Sequence, residues 1–352
     1  MAHKIRLGFV GANVRSTWAS QSHFPALLAS PDVEMTAVCT TRPESAEEAP
    51  QTFGAQLAFH DYRAMVASPA IDAVAVVVKV PEHYGPPRAA LEAGKHVYTE
   101  WPLGRSQGVQ TAVGLQSRVS PTLMYMQEQI EAGYVGEVLA CHVTTMRDGA
   151  LARPSSRTWQ RDARLGANTL TIATGHVIDA LRFIAGNFAR VACLVTTQAR
   201  HWYETDTRQL VEVTSPDNVL VSGQLASGAV ASVHVAAVPW AGSGFRMEIY
   251  GREGTLVATG SVSSQRGETL RLQGARGTHA RIDLAVPERF VSVPADFPHG
   301  DPFNVGQMYA LFAEAIRTGQ SRLPTFDTGV DLHHFIDTLK QASDTGRELP
   351  VA

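Results

Sequence analysis

Several stretches of this 352-residue sequence put polar or charged side chains where an apolar strand or a helix stops, and chemistry is expected there. Tyr98-Thr99-Glu100-Trp101-Pro102-Leu103-Gly104 closes the short strand His96 to Glu100 and begins a helix, the point at which a bound cofactor's reactive ring would meet a substrate in a two-domain α/β enzyme. Lys79, followed by Pro81-Glu82-His83, stands at the end of the apolar run Ile71 to Val78. On a helix over Thr174 to Ala185, His176 and Asp179 lie one turn apart, preceded by Asn168, Thr171 and Thr174. By residue type alone, His176 reads as a core histidine bonded to a backbone carbonyl. An imidazole is also the side chain best suited to take a hydroxyl proton near neutral pH.

The elements around these residues follow from apolar patterning. Ile5 to Val10 is a strand ended by Gly11-Ala12-Asn13, and a helix follows from Ser22, which is the opening of a βαβ unit. Glycine at this turn lets the backbone come close to a pyrophosphate. Gly11 suits that role, while Asn13 and Ser16 replace the second and third glycines of the G-x-G-x-x-G pattern. Further strands at Val33 to Cys39, Ile71 to Val78 and His96 to Glu100 alternate with helices and predict a doubly wound parallel sheet over residues 1–127. At the end of the second strand, Thr40-Thr41-Arg42 offers hydroxyls and a guanidinium in place of the acidic residue that receives an NAD ribose. That favours NADP over NAD, unless Arg42 is simply a solvated loop cation. Residues 128–352 change texture to hairpin-linked strands, predicting an α+β domain with a large, mostly antiparallel sheet and two C-terminal helices packed back on the body.

Composition narrows the function classes. Apolar residues at 44% and charged ones at 18% describe a globular chain, and a net charge of -3 gives no field for nucleic acid or anionic lipid. No nucleic-acid or membrane partner is expected. Cys39, Cys141 and Cys193 sit in apolar strands and read as reduced core thiols, and the N-terminus lacks an apolar leader, which together point to the cytoplasm. His333-His334 has no carboxylate or cysteine at ligand spacing on its helix face, so no metal is expected.

This order of domains resembles the glucose-fructose oxidoreductase, inositol dehydrogenase and rhizopine catabolism (Gfo/Idh/MocA) family. The resemblance rests on Ala93-Gly94-Lys95-His96-Val97 leading to Glu100-Trp101-Pro102-Leu103, on Gly133-Tyr134-Val135-Gly136-Glu137-Val138, and on Gly175-His176-Val177-Ile178-Asp179. It implies NAD(P) bound by the first domain through Gly11, Asn13, Thr40, Thr41, Arg42, Lys79, Pro81, His83, Glu100, Trp101 and Pro102. It also implies a sugar, cyclitol or related polyol against the second domain near Trp101, Asn168, Thr171 and Asp179, with His176 as general base. Homodimers or homotetramers through the sheet face are a further implication. The family's active dehydrogenases carry a lysine where Trp101 stands and an aspartate where Ile172 stands. A positive charge at a developing alkoxide contributes about 3 to 4 kcal/mol in other enzymes, so its loss calls for a replacement. Lys79 is the candidate, with contact to a cofactor phosphate or exposure to solvent as its other readings. Trp101 reads either as a stacking surface or as a packing residue. Trp159 and Arg161 lie in the loop from Arg147 to Gly166, which is long enough for a lid. The substituted motif and His23-Phe24-Pro25-Ala26-Leu27 resemble the branch containing the yeast galactose-pathway repressor, which implies the second reading, a dinucleotide-binding sensor that acts by protein contact without turnover.

Overall fold

The computed structural model describes residues 3–12, 18–41, 54–102, 109–261, 263–264 and 270–351. Asn13, Ser16, Arg42, Leu103 and Gly104 lie outside the described residues. The chain divides into two compact units, Met1–Val119 with Val291–Asp331, and Ser120–Phe290 with Leu332–Ala352. The boundary expected at residue 127 therefore falls at 119/120, and a C-terminal stretch assigned above to the second domain returns to the first. The reason lies in packing: helix Asp301–Thr318 supplies Val305, Met308, Tyr309 and Phe312 to the core of the first unit.

In the first unit six parallel strands, β1 (Ile5–Val10), β2 (Val33–Cys39), β3 (Leu57–Phe59), β4 (Ala73–Val76), β5 (His96–Glu100) and β6 (Thr111–Gly114), form a sheet in the order β3-β2-β1-β4-β5-β6. This is the doubly wound order in which the chain reverses direction across the sheet between β1 and β4, opening a crevice beyond their carboxyl ends. All four residues of β4 are buried, as a parallel strand covered on both faces requires. Where β1 runs out, Gly11 adopts φ +97°, and a Cβ there would stand 2.1 Å from the Val77 carbonyl oxygen. Only glycine fits both the angle and the space.

The second unit is built on a nine-stranded sheet. Its strands are β7 (Val138–Arg147), β9 (Phe188–Thr196), β12 (Asn218–Leu225), β13 (Val230–Ala237), β14 (Gly244–Gly251), β15 (Gly254–Gly260), β16 (Arg271–Arg276), β17 (Ile282–Asp283) and β18 (Leu349–Pro350), in the order β17-β16-β15-β14-β7-β13-β12-β9-β18. Every pairing is antiparallel except that of β7 with β13. A small sheet, in which β10 (His201–Glu204) lies between β8 (Ala152–Arg153) and β11 (Leu210–Glu212), was not foreseen from the sequence because its strands are two to four residues long. Helices Pro121–Glu131 and Gly175–Ala185 pack against each other within this unit. No helix among the described residues is long and apolar enough to cross a membrane.

Gly11→Ala is expected to destabilise the first unit by at least about 1 kcal/mol through the positive φ alone, with the clash at Val77 adding to it. Urea unfolding measures this; unchanged stability would show that the turn does not need its glycine.

Candidate functional site

The end of β5 carries a carboxylate held by four side chains. Glu100 accepts from Tyr98 Oη at 2.8 Å and from Gln116 Nε2 at 2.8 Å on Oε1, and from Trp18 Nε1 at 3.0 Å on Oε2. His23 Nε2 lies 3.1 Å from Oε1, while its Nδ1 is 2.8 Å from the Tyr309 hydroxyl. One tautomer satisfies both contacts: Tyr309 donates to Nδ1, and Nε2–H donates to the carboxylate. Burial by itself would raise the pKa of Glu100, but bonds from His23, Tyr98 and Gln116 outweigh it and hold the carboxyl below its ordinary value. Tyr98 and Tyr309 are pushed well above the ordinary tyrosine value, first by burial and then by the Glu100 charge. A Cβ on Gly114 would come within 2.6 Å of Glu100 Oε1, so the glycine in β6 makes room for the carboxylate.

Trp101 and Pro102 follow, joined by a cis peptide bond. Trp101 is only 4% exposed, which agrees with packing and leaves little ring surface open for a ligand to stack on. His83, read from the sequence as a cofactor contact, has both ring nitrogens turned to main-chain oxygens, Nδ1 to Pro102 at 2.7 Å and Nε2 to Val78 at 3.0 Å. It ties the segment after β4 to the segment after β5. Lys79 and Pro81 are exposed on the same β4 exit, where Lys79 precedes the short turn Val80–Glu82.

At the ends of β1, β2 and β4 the chain presents Gly11-Ala12, Thr40-Thr41 and Val78-Lys79, with Thr40 buried and Thr41 exposed. No carboxylate stands among these residues, and that of Glu100 is occupied by four donors. A donor set of hydroxyls and one ammonium at a doubly wound switch point fits a dinucleotide's ribose and pyrophosphate.

The second unit holds the other candidates. A π-helical turn, Thr169–Thr174, runs directly into helix Gly175–Ala185, which buries His176 (5% exposed) in its first turn and Asp179 (2%) in its second. Asn168 and Thr171 form a reciprocal cap: Asn168 Oδ1 accepts from Thr171 N at 3.1 Å, and Thr171 Oγ1 accepts from Asn168 N at 3.2 Å and donates to Gly166 O at 2.6 Å. These contacts use the Asn168 carbonyl oxygen and the Thr171 hydroxyl that the sequence offered for substrate hydroxyls. The loop after β7 is built in by backbone bonds: β8 pairs with β10, the Ser215 hydroxyl donates to Gln160 O at 2.6 Å, and Thr214 N donates to Arg161 O at 2.9 Å. Lys79 and His176 belong to different units.

Residues 5–120 match the model of an oxidoreductase family with an NAD-binding Rossmann fold, and residues 121–260 match that of the Gal80p C-terminal domain. Residues 5–120 thus match the Gfo/Idh/MocA family, which the chain resembles in the order of its domains. Among the relatives, dehydrogenase aclE of Aspergillus oryzae is 34% identical over 207 residues, covering 53% of this chain and 57% of its own. The galactose/lactose metabolism regulatory protein GAL80 of Saccharomyces cerevisiae is 28% identical over 259 residues, 65% of this chain and 60% of its own. The matches thus span less than two thirds of the length of either relative. The crystal structure of a super-repressor mutant of Gal80p shares the fold at TM-score 0.86 and 22% identity, covering 99% of this chain and 98% of that one. A levoglucosan dehydrogenase in complex with NADH and L-sorbose does so at TM-score 0.81 and 21% identity, covering 99% of each. At these identities the structural likeness establishes the fold alone.

His23, Trp18, Gln116 and Tyr309 are the residues around Glu100 that sequence reasoning missed. His23 had been noticed only as part of a branch motif. Glu100→Gln is expected to cost about 3 kcal/mol near pH 7, because an amide would turn N–H groups toward groups that donate. A carboxylate with a lowered folded pKa stabilises above its unfolded value near 4.5 and loses that contribution as pH falls through the folded value. The gap between wild type and variant in urea unfolding therefore narrows below about pH 4.5; a gap independent of pH would contradict the ionised state.

Proposed function

We propose that this protein is an NAD(P)-dependent oxidoreductase that transfers hydride between nicotinamide and a sugar, cyclitol or related polyol. The observation that carries this reading is the pair His176 and Asp179, both buried and one turn apart near the start of a helix reached through a capped π-helical turn. A charged or polar pair is costly to bury, and its retention on one helix face fits a general base and a carboxylate that orients it. His176 takes the hydroxyl proton as the alcohol is oxidised, and returns it on reduction. The cofactor supplies the hydride chemistry. Gly11, Thr40, Thr41 and Lys79 hold it at the strand ends, with Arg42 favouring the 2'-phosphate of NADP, and Glu100, Trp101 and Pro102 form the floor near its ring. Lys79 provides positive charge in place of the absent motif lysine. The sugar dehydrogenases among the relatives support this substrate class.

A second reading, a dinucleotide-binding sensor without turnover, is favoured by one specific substitution. Trp101 is a buried indole where the family's active dehydrogenases carry a lysine, and residues 121–260 match the model of the Gal80p C-terminal domain. Under either reading, self-association is expected through one face of the large sheet, where Leu194, Leu220, Val230 and Tyr250 share a side and are exposed.

His176→Ala is expected to abolish turnover, followed by nicotinamide absorbance over a panel of sugars, cyclitols and their keto forms, while NADPH and NADH fluorescence titrations stay unchanged. Lys79→Met lowers turnover in the same assay. Tight cofactor binding without turnover of any panel member would replace this reading with the sensor. Leu220→Glu is expected to reduce the assembly size measured by light scattering; an unaltered mass would remove the sheet face as the interface.

A further inference from the structure

One row of residues crosses the large sheet of the second unit. Leu194 pairs with Leu220, Leu220 with His234, His234 with Thr144, Thr144 with Arg246 and Arg246 with Thr259. Directly paired residues share a face, and the strand neighbours Val143, Thr145, Met247 and Ala258 point the other way and are buried. At one end the row is apolar and exposed through Leu194 and Leu220. Toward the other end Thr144, Arg246 and Thr259 line a cavity of about 470 Å³, together with Ser243, Phe245 and Ser261. Its wall is tightly built: Gly244 has φ +75°, and a Cβ there would stand 2.2 Å from Gly260 O, so the start of β14 lies pressed against the end of β15.

The lining carries a single charge. Arg246 Nη2 donates to Glu248 Oε1 at 2.6 Å, and the Tyr250 hydroxyl donates to the same oxygen at 2.8 Å. Glu248, which is buried and outside the lining, thus fixes the orientation of the guanidinium through one N–H. Arg246 makes no other hydrogen bond to a described residue, and the hydroxyls of Thr144, Ser243, Thr259 and Ser261 make none. A guanidinium held in place, four hydroxyls and no lining carboxylate suit an oxyanion, which accepts from all of these donors. Small-molecule sites commonly measure about 300 to 1,000 Å³, so this cavity has room for a skeleton beyond the anionic group.

We propose that this cavity binds a small molecule through an oxyanion, a phosphate ester or a carboxylate, with Arg246 as the anchor and the four hydroxyls as further donors. The site lies within the second unit and stands independently of the oxidoreductase reading.

Calorimetric titration of the purified full chain at low salt with inorganic phosphate, glucose 6-phosphate, glucuronate and glucose tests this. Both acidic sugars are expected to bind at least about tenfold more tightly than glucose. Arg246→Gln removes that advantage, Ser243→Ala and Thr259→Val each reduce it several-fold, and Lys79→Met in the first unit leaves it unchanged. A larger gain for glucose 6-phosphate, with binding of inorganic phosphate, assigns a phosphate ester; a gain confined to glucuronate assigns a carboxylate. Thermal melting monitors folding, and because Ser243 is exposed, its variant carries the test if Arg246→Gln fails to fold. Equal affinity for glucose and the acidic sugars overturns the site. So does anion binding that Lys79→Met removes and Arg246→Gln keeps, since the anion then belongs to the first unit. The cavity shares its face with Leu194 and Leu220, so light scattering accompanies the titration. No probe bound, with an assembly size that Arg246→Gln alters, overturns the ligand site and assigns the cavity to contact between copies of this chain.

Discussion

A carboxylate withdrawn from water must be matched by donors, and in this protein the match at Glu100 fixes the geometry of everything at the end of β5. Four side chains from three stretches, Trp18 and His23 on one turn, Tyr98 on β5 and Gln116 after β6, converge on its two oxygens, and Tyr309 completes the chain behind His23. Desolvating an unpaired carboxylate is among the most unfavourable events in folding. The donors therefore cannot move independently of it. The result is a rigid anchor immediately before Trp101, and His83 adds a second brace from Val78 to Pro102. The dinucleotide crevice of the first unit is defined by main chain and buried side chains, with exposed groups such as Lys79 added at its edge.

The second unit solves a different problem. Its large sheet has one side supplied with helices and another that exposes large apolar side chains, and the segment before the His176 helix has to satisfy its own backbone groups. The reciprocal cap of Asn168 and Thr171 does so, and the π-helical turn delivers His176 and Asp179 to buried positions. The loop after β7 gains order from a three-stranded sheet and a ring of side-chain to backbone bonds. In that loop Asp162 pairs with Arg164, and the guanidinium of Arg153 stacks on Trp202 and bonds Gln160.

Family resemblance and fold constrain function without selecting it, since the relatives include both sugar dehydrogenases and a regulatory protein. Two features pull in opposite directions. The buried His176 and Asp179 pair is what the proposed catalysis would use, whereas the buried indole of Trp101 is what the sensor reading rests on. These sit in separate units, and each unit matches its own family model.

The sequence by itself determined the parts whose information is local. Strands β1, β2 and β5 were legible because a parallel strand covered on both faces reads as an apolar run, and the helix bearing His176 because its apolar positions recur at helical spacing. Gly11 was legible as a turn residue, as were the hairpin-linked strands of the second half. Tertiary structure alone decided the rest. His23 and Tyr309 meet across 286 residues of sequence, and Gln116 and Trp18 reach Glu100 from opposite directions along the chain, so no period or motif could pair them. The return of helix Asp301–Thr318 to the first unit and the occupation of His83 by two carbonyls are of the same kind. Each depends on which groups are left after long-range packing has satisfied the others, and that sum exists only in the folded chain.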